Sequence, residues 1–151
     1  MSQLNPLKII FLDIDGVLNS TRSFIATNRG EPDSRWTAED YLFVRERLTI
    51  DPMAVGLINR LAKDADASIV VSSSHRKFFR PGGHLQLDAL VEYMVNLGIT
   101  APILDATPVI HNRPRGQEIE TWLNGQQRIS PVEKYVIIDD STDMLEWQYD
   151  F

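Results

Sequence analysis

The chain has no cysteine, which removes disulfide scaffolds, thiolate zinc sites, iron–sulfur clusters and cysteine nucleophiles together. A bound metal would have to be held by oxygen atoms or by the three histidines. No apolar run approaches the roughly 20 residues that cross a bilayer, and Met1 to Lys8 lacks the basic-then-apolar layout of a signal peptide, so a cytoplasmic protein with no membrane partner is expected. Excess positive charge is also missing. The formal net charge of -6 disfavours a general nucleic-acid coat but leaves room for a local basic groove. There is no internal repeat and no low-complexity tract. What is present, 151 residues with 43% hydrophobic and 24% charged side chains, suits one globular domain, 1–151, with a single core.

Leu7 to Leu12 is a short apolar run that stops abruptly at Asp13-Ile14-Asp15-Gly16, as a strand buried on both faces would. Two further runs behave alike: Ser68 to Val71 ends in Ser72-Ser73-Ser74, and Tyr135 to Ile138 ends in Asp139-Asp140. Helical segments precede them. Asp51-Pro52 reads as an N-cap with proline in the first turn, followed by Ala54, Ile58, Leu61 and Ala65 on one face. From about Leu85 to Leu97, Leu87, Leu90, Val91 and Met94 repeat at helical spacing before Gly98, and Pro102 to Leu104 reads as a further short strand. Arg115 to Asn124 carries Ile119, Trp122 and Leu123 and is expected to stop at Gly125. This alternation predicts an α/β fold with a mainly parallel sheet. The stretch from about Ser20 to Ile50 is too long for an ordinary connection and reads as a flap or small insertion. Its arginines and acidic residues balance, so it is not a basic arm.

In an open parallel sheet, ligands bind outside the carboxyl ends of the strands. Asp13 and Asp15, Ser72 to Ser74, and Asp139 and Asp140 would therefore converge on one crevice, with Arg113 and Arg115 at the start of the helix before the last strand. Carboxylates that close repel unless a cation lies among them, and an oxygen-only set suits Mg²⁺. The metal ligands expected are Asp13, Asp15, Asp139 and Asp140. Ser hydroxyls, backbone N–H groups and arginine bind phosphate oxygens, so the whole reads as a phosphoryl-transfer site. An EF-hand loop is excluded, because Gly16 and Phe24 stand where that loop would not place them.

These segments resemble the haloacid dehalogenase-like (HAD) hydrolases, whose four short motifs occur here in order over about residues 8 to 143. Asp13-Ile14-Asp15-Gly16-Val17-Leu18-Asn19 is similar to the first motif, Val71-Ser72 to the second, Arg115-Gly116 with Glu118-Ile119 to the third, and Ile137-Ile138-Asp139-Asp140 to the fourth. The resemblance implies a HAD-like Rossmannoid three-layer fold with a minimal cap. It also implies that Asp13 is the nucleophile, Asp15 the general acid/base, Ser72 the phosphoryl-holding hydroxyl and Arg115 the cation that steadies nucleophile and phosphate. Phosphate esters would then be hydrolysed through an aspartyl-phosphate. Ser72-Ser73-Ser74-His75-Arg76 and the Arg-Gly-x-Glu-Ile helix start are similar to small HAD proteins associated with nucleic-acid repair. Relatives usually continue into another strand beyond the fourth motif, which leaves the sheet edge open.

Gly16, Ser73 and Arg76 are expected at the substrate. Ser73 is an alternative to Ser72 as phosphate ligand, and Asp143 reads equally as a further acidic ligand or a helix cap. Arg76, Lys77 and Arg80, interleaved with Phe78 and Phe79, could hold a nucleotide or a nucleic-acid phosphate end; the alternative is an exposed basic loop with one phenylalanine buried. His75, His84 and His111 lack metal-ligand spacing and are left to capping, packing or substrate contact. Two other functions compete with a Mg²⁺-dependent phosphatase acting on a nucleotide or nucleic-acid terminal phosphate. One is a catalytically idle phosphate-binding module, which the Asp13 and Asp15 pair counts against. The other is a phosphatase for a phosphorylated small molecule, capped by a partner subunit.

Overall fold

A computed structural model describes residues 5–19 and 50–150; the expected flap lies outside the described residues apart from Ile50. Four strands are described: β1 (Leu7–Leu12), β2 (Ser68–Val71), β3 (Ile103–Ala106) and β4 (Val132–Ile138). They form one sheet in the order β3-β2-β1-β4, and every pairing is parallel. Helices α1 (Pro52–Ala65), α2 (Leu87–Asn96) and α3 (Arg115–Gln126) connect them. No helix among the described residues is long and apolar enough to cross a membrane.

The alternation of β1 explains the layers. Ile10 and Leu12 pack with Val55, Ile58 and Ala62 of α1 and Leu90, Tyr93 and Met94 of α2. Ile9 and Phe11 point the other way, onto Ile119, Trp122 and Leu123 of α3, where Phe11 meets the Trp122 ring edge-on at 5.4 Å. A strand covered on both faces must be apolar at successive positions, and Ile9 to Leu12 are each at most 1% exposed.

Local chemistry sets most boundaries. Asp51 caps α1 by accepting the Met53 N–H at 2.9 Å. The buried stripe of α1 is Val55, Ile58 and Ala62, whereas Leu61 is 41% exposed, so the helix faces the core about one residue away from the expected stripe. β3 extends to Ala106 because the Asp105 carboxylate accepts the Trp122 indole N–H at 2.8 Å, which lets an acidic residue sit inside a strand. Helix α3 runs through Gly125, with the Gln126 carbonyl taking the N–H groups of Ile129 and Ser130.

The carboxyl ends of the strands are level. One residue beyond its strand, Asp13 N–H reaches Ile138 O at 3.0 Å, Ser72 N–H reaches Leu12 O at 2.9 Å and Thr107 N–H reaches Val71 O at 3.0 Å. Since β2 lies on one side of β1 and β4 on the other, the end of β1 is the point where strand order reverses, which is where open parallel sheets bind their ligands.

Candidate active site

Asp13 is 5% exposed at the end of β1, between β2 and β4. Arg115, in the first turn of α3, reaches back over it: Nη1 lies 3.0 Å from Asp13 Oδ2 and 2.6 Å from Asp139 Oδ2. The other Asp139 oxygen accepts the Ser141 N–H at 2.8 Å. Asp140 completes the group, since one carboxylate oxygen from each of Asp13, Asp139 and Asp140 lies within 4.8 Å of the others.

Asp140 packs on Gly16. A Cβ built at Gly16 would stand 2.0 Å from Asp140 Oδ2, and the backbone there has φ +78°. Glycine is required on both counts. Its N–H is engaged by Asn19 Oδ1 at 2.9 Å, so Gly16 shapes the turn and its own donor is used inside the protein.

The Arg115 guanidinium sits against Asp13 and Asp139, with Asp140 beside them. Burial pushes the Asp13 carboxyl up to about 6 against the opposing pull of Arg115, and Asp139 adds a smaller rise. Arg115 itself stays protonated against the effect of burial because Asp139 and Asp13 hold it. An oxygen-only group with surplus negative charge fits a hard divalent cation. Asp13, Asp139 and Asp140 are the residues that could hold it.

Asp15 departs from the expected metal set. Its side chain is 59% exposed and turns away from the three acidic residues: Oδ2 lies 2.6 Å from His75 Nε2 and Oδ1 accepts the Asn19 amide at 3.0 Å. The two-residue spacing permits one side of an extended segment, but the turn from Ile14 to Leu18 rotates Asp15 out of line.

At the end of β2, the Ser72 side-chain hydroxyl is buried and has no hydrogen-bond partner among the described residues. Ser73 is used differently: its Oγ accepts the His75 N–H at 3.2 Å and caps the short 3-10 turn Ser74–Phe79. The geometry therefore separates the two serines. Thr107, level with Ser72 and one residue beyond β3, also has a buried hydroxyl without a partner among the described residues, and no sequence motif marks it.

Arg76 corrects the expectation most clearly. It is 2% exposed, and its guanidinium donates to the carbonyls of Ser72, Ser73, Thr107 and Pro108 and to the Glu118 carboxylate. All five of its N–H donors are thus consumed inside the protein, and Glu118 Oε1 also takes the Ile110 N–H at 2.9 Å. Arg76 ties the end of β2 to α3 and does not present its charge to a substrate. Arg80 donates to the Ala106 and Thr107 carbonyls. Of the basic run, Lys77 is exposed; Phe79 is buried and Phe78 is 48% exposed, the arrangement of a surface loop.

Asp143 resolves as a cap. Its Oδ2 accepts the Arg115 N–H at 3.0 Å, and Ser141 donates to its other oxygen. Burial works upward on this carboxyl, but those hydrogen bonds hold it below the ordinary range. Arg113 is exposed. Gly116 is packed against the chain that follows β4, since a Cβ there would stand 2.3 Å from Gln148 Oε1 and 2.5 Å from Leu145 N.

Two partnerships escaped the sequence because each joins distant segments: Arg76 with Glu118, and Asp15 with His75. A glutamate in the first turn of a helix is an ordinary dipole partner, and only its burial at 6% exposure marks it as something more.

Comparison with curated proteins and with solved structures gives no match. A protein family does match: the HAD domain in Swiss Army Knife RNA repair proteins, over residues 9–151. That span takes in the Asp13 turn, the Ser72 strand end, the Arg115 helix start and the Asp139-Asp140 pair, and the chain belongs to this family of HAD-type hydrolase domains.

Proposed function

We propose that the protein is a Mg²⁺-dependent phosphatase that hydrolyses a phosphate monoester through an aspartyl-phosphate on Asp13. The observation that carries this reading is the buried Asp13 carboxylate, gripped by Arg115 and backed by Asp139 and Asp140, at the point where strand order reverses. A Mg²⁺ ion held by Asp13, Asp139 and Asp140 would offset the crowded negative charge and stabilise charge developing on phosphate oxygens.

The residues divide the work. A carboxylate oxygen of Asp13 attacks phosphorus; the new O–P bond forms as the ester P–O bond breaks, and Asp15 gives its proton to the leaving oxygen. Water then attacks the phosphorus of the aspartyl-phosphate and passes a proton to Asp15, and the O–P bond to Asp13 breaks to release inorganic phosphate. Arg115 and the unpaired Ser72 hydroxyl supply donors for phosphate oxygens by charge-assisted and neutral hydrogen bonds. Asp15, which lies outside the acidic group, takes the proton-transfer role in this reading and not metal ligation.

The substrate we propose is a nucleotide or a nucleic-acid terminal phosphate. The matching family is drawn from RNA repair proteins, and this supports a nucleic-acid end. Arg76 no longer contributes to that choice, and Lys77 is the exposed cation of its run.

The test is phosphate release from nucleoside monophosphates, sugar phosphates and oligonucleotides bearing 3′ or 5′ phosphates, with and without Mg²⁺. Release that needs Mg²⁺ and disappears in Asp13→Asn is expected, with an oligonucleotide or nucleotide preferred. Binding of phosphate without hydrolysis of any of these esters would contradict the reading.

A further inference from the structure

His75 follows the phosphate-holding strand end by three residues, is 7% exposed, and places Nε2 2.6 Å from Asp15 Oδ2. Its other ring nitrogen, Nδ1, lies 3.4 Å from the Tyr93 hydroxyl of α2. The ring is further fixed by the 3-10 turn that Ser73 caps and by Phe78, which meets it edge-on with centroids 6.4 Å apart. From this geometry we infer that His75 is a positioning residue for the acid/base: it sets where the Asp15 carboxyl stands and so decides how well the enzyme expels poor leaving groups. The inference rests on the phosphatase reading above.

Asp15 is mostly exposed, and an exposed carboxylate on a turn has several rotamers open to it unless its contacts select one. Asn19, four residues away, holds Asp15 within its own turn. His75 ties it to a different element, because it follows the β2 end that also carries Ser72. It therefore fixes the proton-transfer group relative to the hydroxyl we assign to the phosphoryl group. A tyrosine hydroxyl donating to Nδ1 leaves Nε2 as the N–H that donates to Asp15.

Protonating the leaving oxygen matters only when that oxygen leaves poorly as an anion. An alkoxide, as from a ribose phosphate, needs the proton as the P–O bond breaks, whereas 4-nitrophenolate leaves largely without it. Loss of positioning should therefore fall unequally on the two ester classes. Loss of general packing would fall equally on both.

The experiment compares kcat/KM for a nucleoside 3′-phosphate and for 4-nitrophenyl phosphate in wild-type, His75→Asn and His75→Gln proteins with Mg²⁺. Asparagine keeps an amide near Nδ1 for Tyr93 but stops short of Asp15, while glutamine reaches the Nε2 position. His75→Asn should lower the nucleotide value by about 10²-fold and the aryl value by about tenfold less, and His75→Gln should recover most of the difference. In an Asp15→Asn background, His75→Asn should add little. Parallel losses on both esters, or losses that add to those of Asp15→Asn, overturn the inference; a merely destabilised protein would show that pattern. Wild-type protein that releases phosphate from neither ester overturns the phosphatase reading and this inference with it.

Discussion

Two arginines lie close to the carboxyl ends of the same sheet, and their surroundings differ in one respect. Arg76 has every N–H donor matched, by four backbone carbonyls and one carboxylate, and Glu118 is matched in turn. Arg115 faces Asp13 and Asp139 with Asp140 beside them, so one positive charge stands among three negative ones. A buried ion pair whose lone pairs and protons are all used has nothing left to offer a ligand and specifies the packing. The group around Arg115 keeps unmet negative charge, and Asp13 is pushed up to about 6 mainly by burial. Perturbed carboxyls in a crevice mark chemistry more often than architecture. The comparison teaches that a partner count, and not the presence of arginine, separates the two roles.

The sharpest way to break the comparison is to exchange the effects. Arg76→Ala leaves Glu118 buried without its cation and should reduce stability by about 3–5 kcal/mol, read from urea unfolding, with no recovery on adding Mg²⁺. Arg115→Met should reduce phosphate release strongly, and its loss of stability should shrink when Mg²⁺ is added. If Mg²⁺ rescued Arg76→Ala equally, the division between the two sites would fail.

The next effect is on pH. The folded Asp13 carboxyl titrates at about 6 against an ordinary 3.8, so folding favours its protonated form. Its contribution is complete below about pH 4 and is lost as pH rises through 6, making the metal-free protein less stable by up to roughly 3 kcal/mol. Thermal unfolding of metal-free protein between pH 4 and 7 should show this slope, and Asp13→Asn should flatten it. Bound Mg²⁺ should oppose it, because a cation favours the ionised carboxylate.

The smallest contrast is between neighbouring serines. Ser73→Ala removes the hydroxyl that caps the turn before His75 and should cost about 1 kcal/mol. Ser72→Ala removes a hydroxyl without a protein partner among the described residues, so stability should stay within about 0.5 kcal/mol while phosphate release falls. Equal loss of stability in both would show that Ser72 has a structural partner.

Much of this was legible in the sequence because it is local. Leu7 to Leu12 has to be buried on both faces to be so uniformly apolar, Asp51-Pro52 announces α1, and polar residues stand at the strand ends where a parallel sheet opens. The parts that were not legible depend on distance along the chain. His75 meets Asp15 across 60 residues and Arg76 meets Glu118 across 42, and no local pattern distinguishes a basic loop on the surface from one whose first arginine is swallowed. The expected strand stops at Leu104, short of Asp105, because the group that lets Asp105 sit in β3, the Trp122 indole, lies on α3. The α1 stripe was misplaced by about one residue because alanine and leucine at 54, 61 and 65 fit a helical face as well as Val55, Ile58 and Ala62 do.

The most direct measurement of the central claim is an acid quench during turnover of an oligonucleotide carrying a ³²P-labelled terminal phosphate in the presence of Mg²⁺. The account predicts label covalently attached to the protein, removed by hydroxylamine as an acyl phosphate, mapped to the peptide containing Asp13 and absent in Asp13→Asn. Release of labelled phosphate with none bound to the protein at any time, and at an undiminished rate in Asp13→Asn, would contradict it.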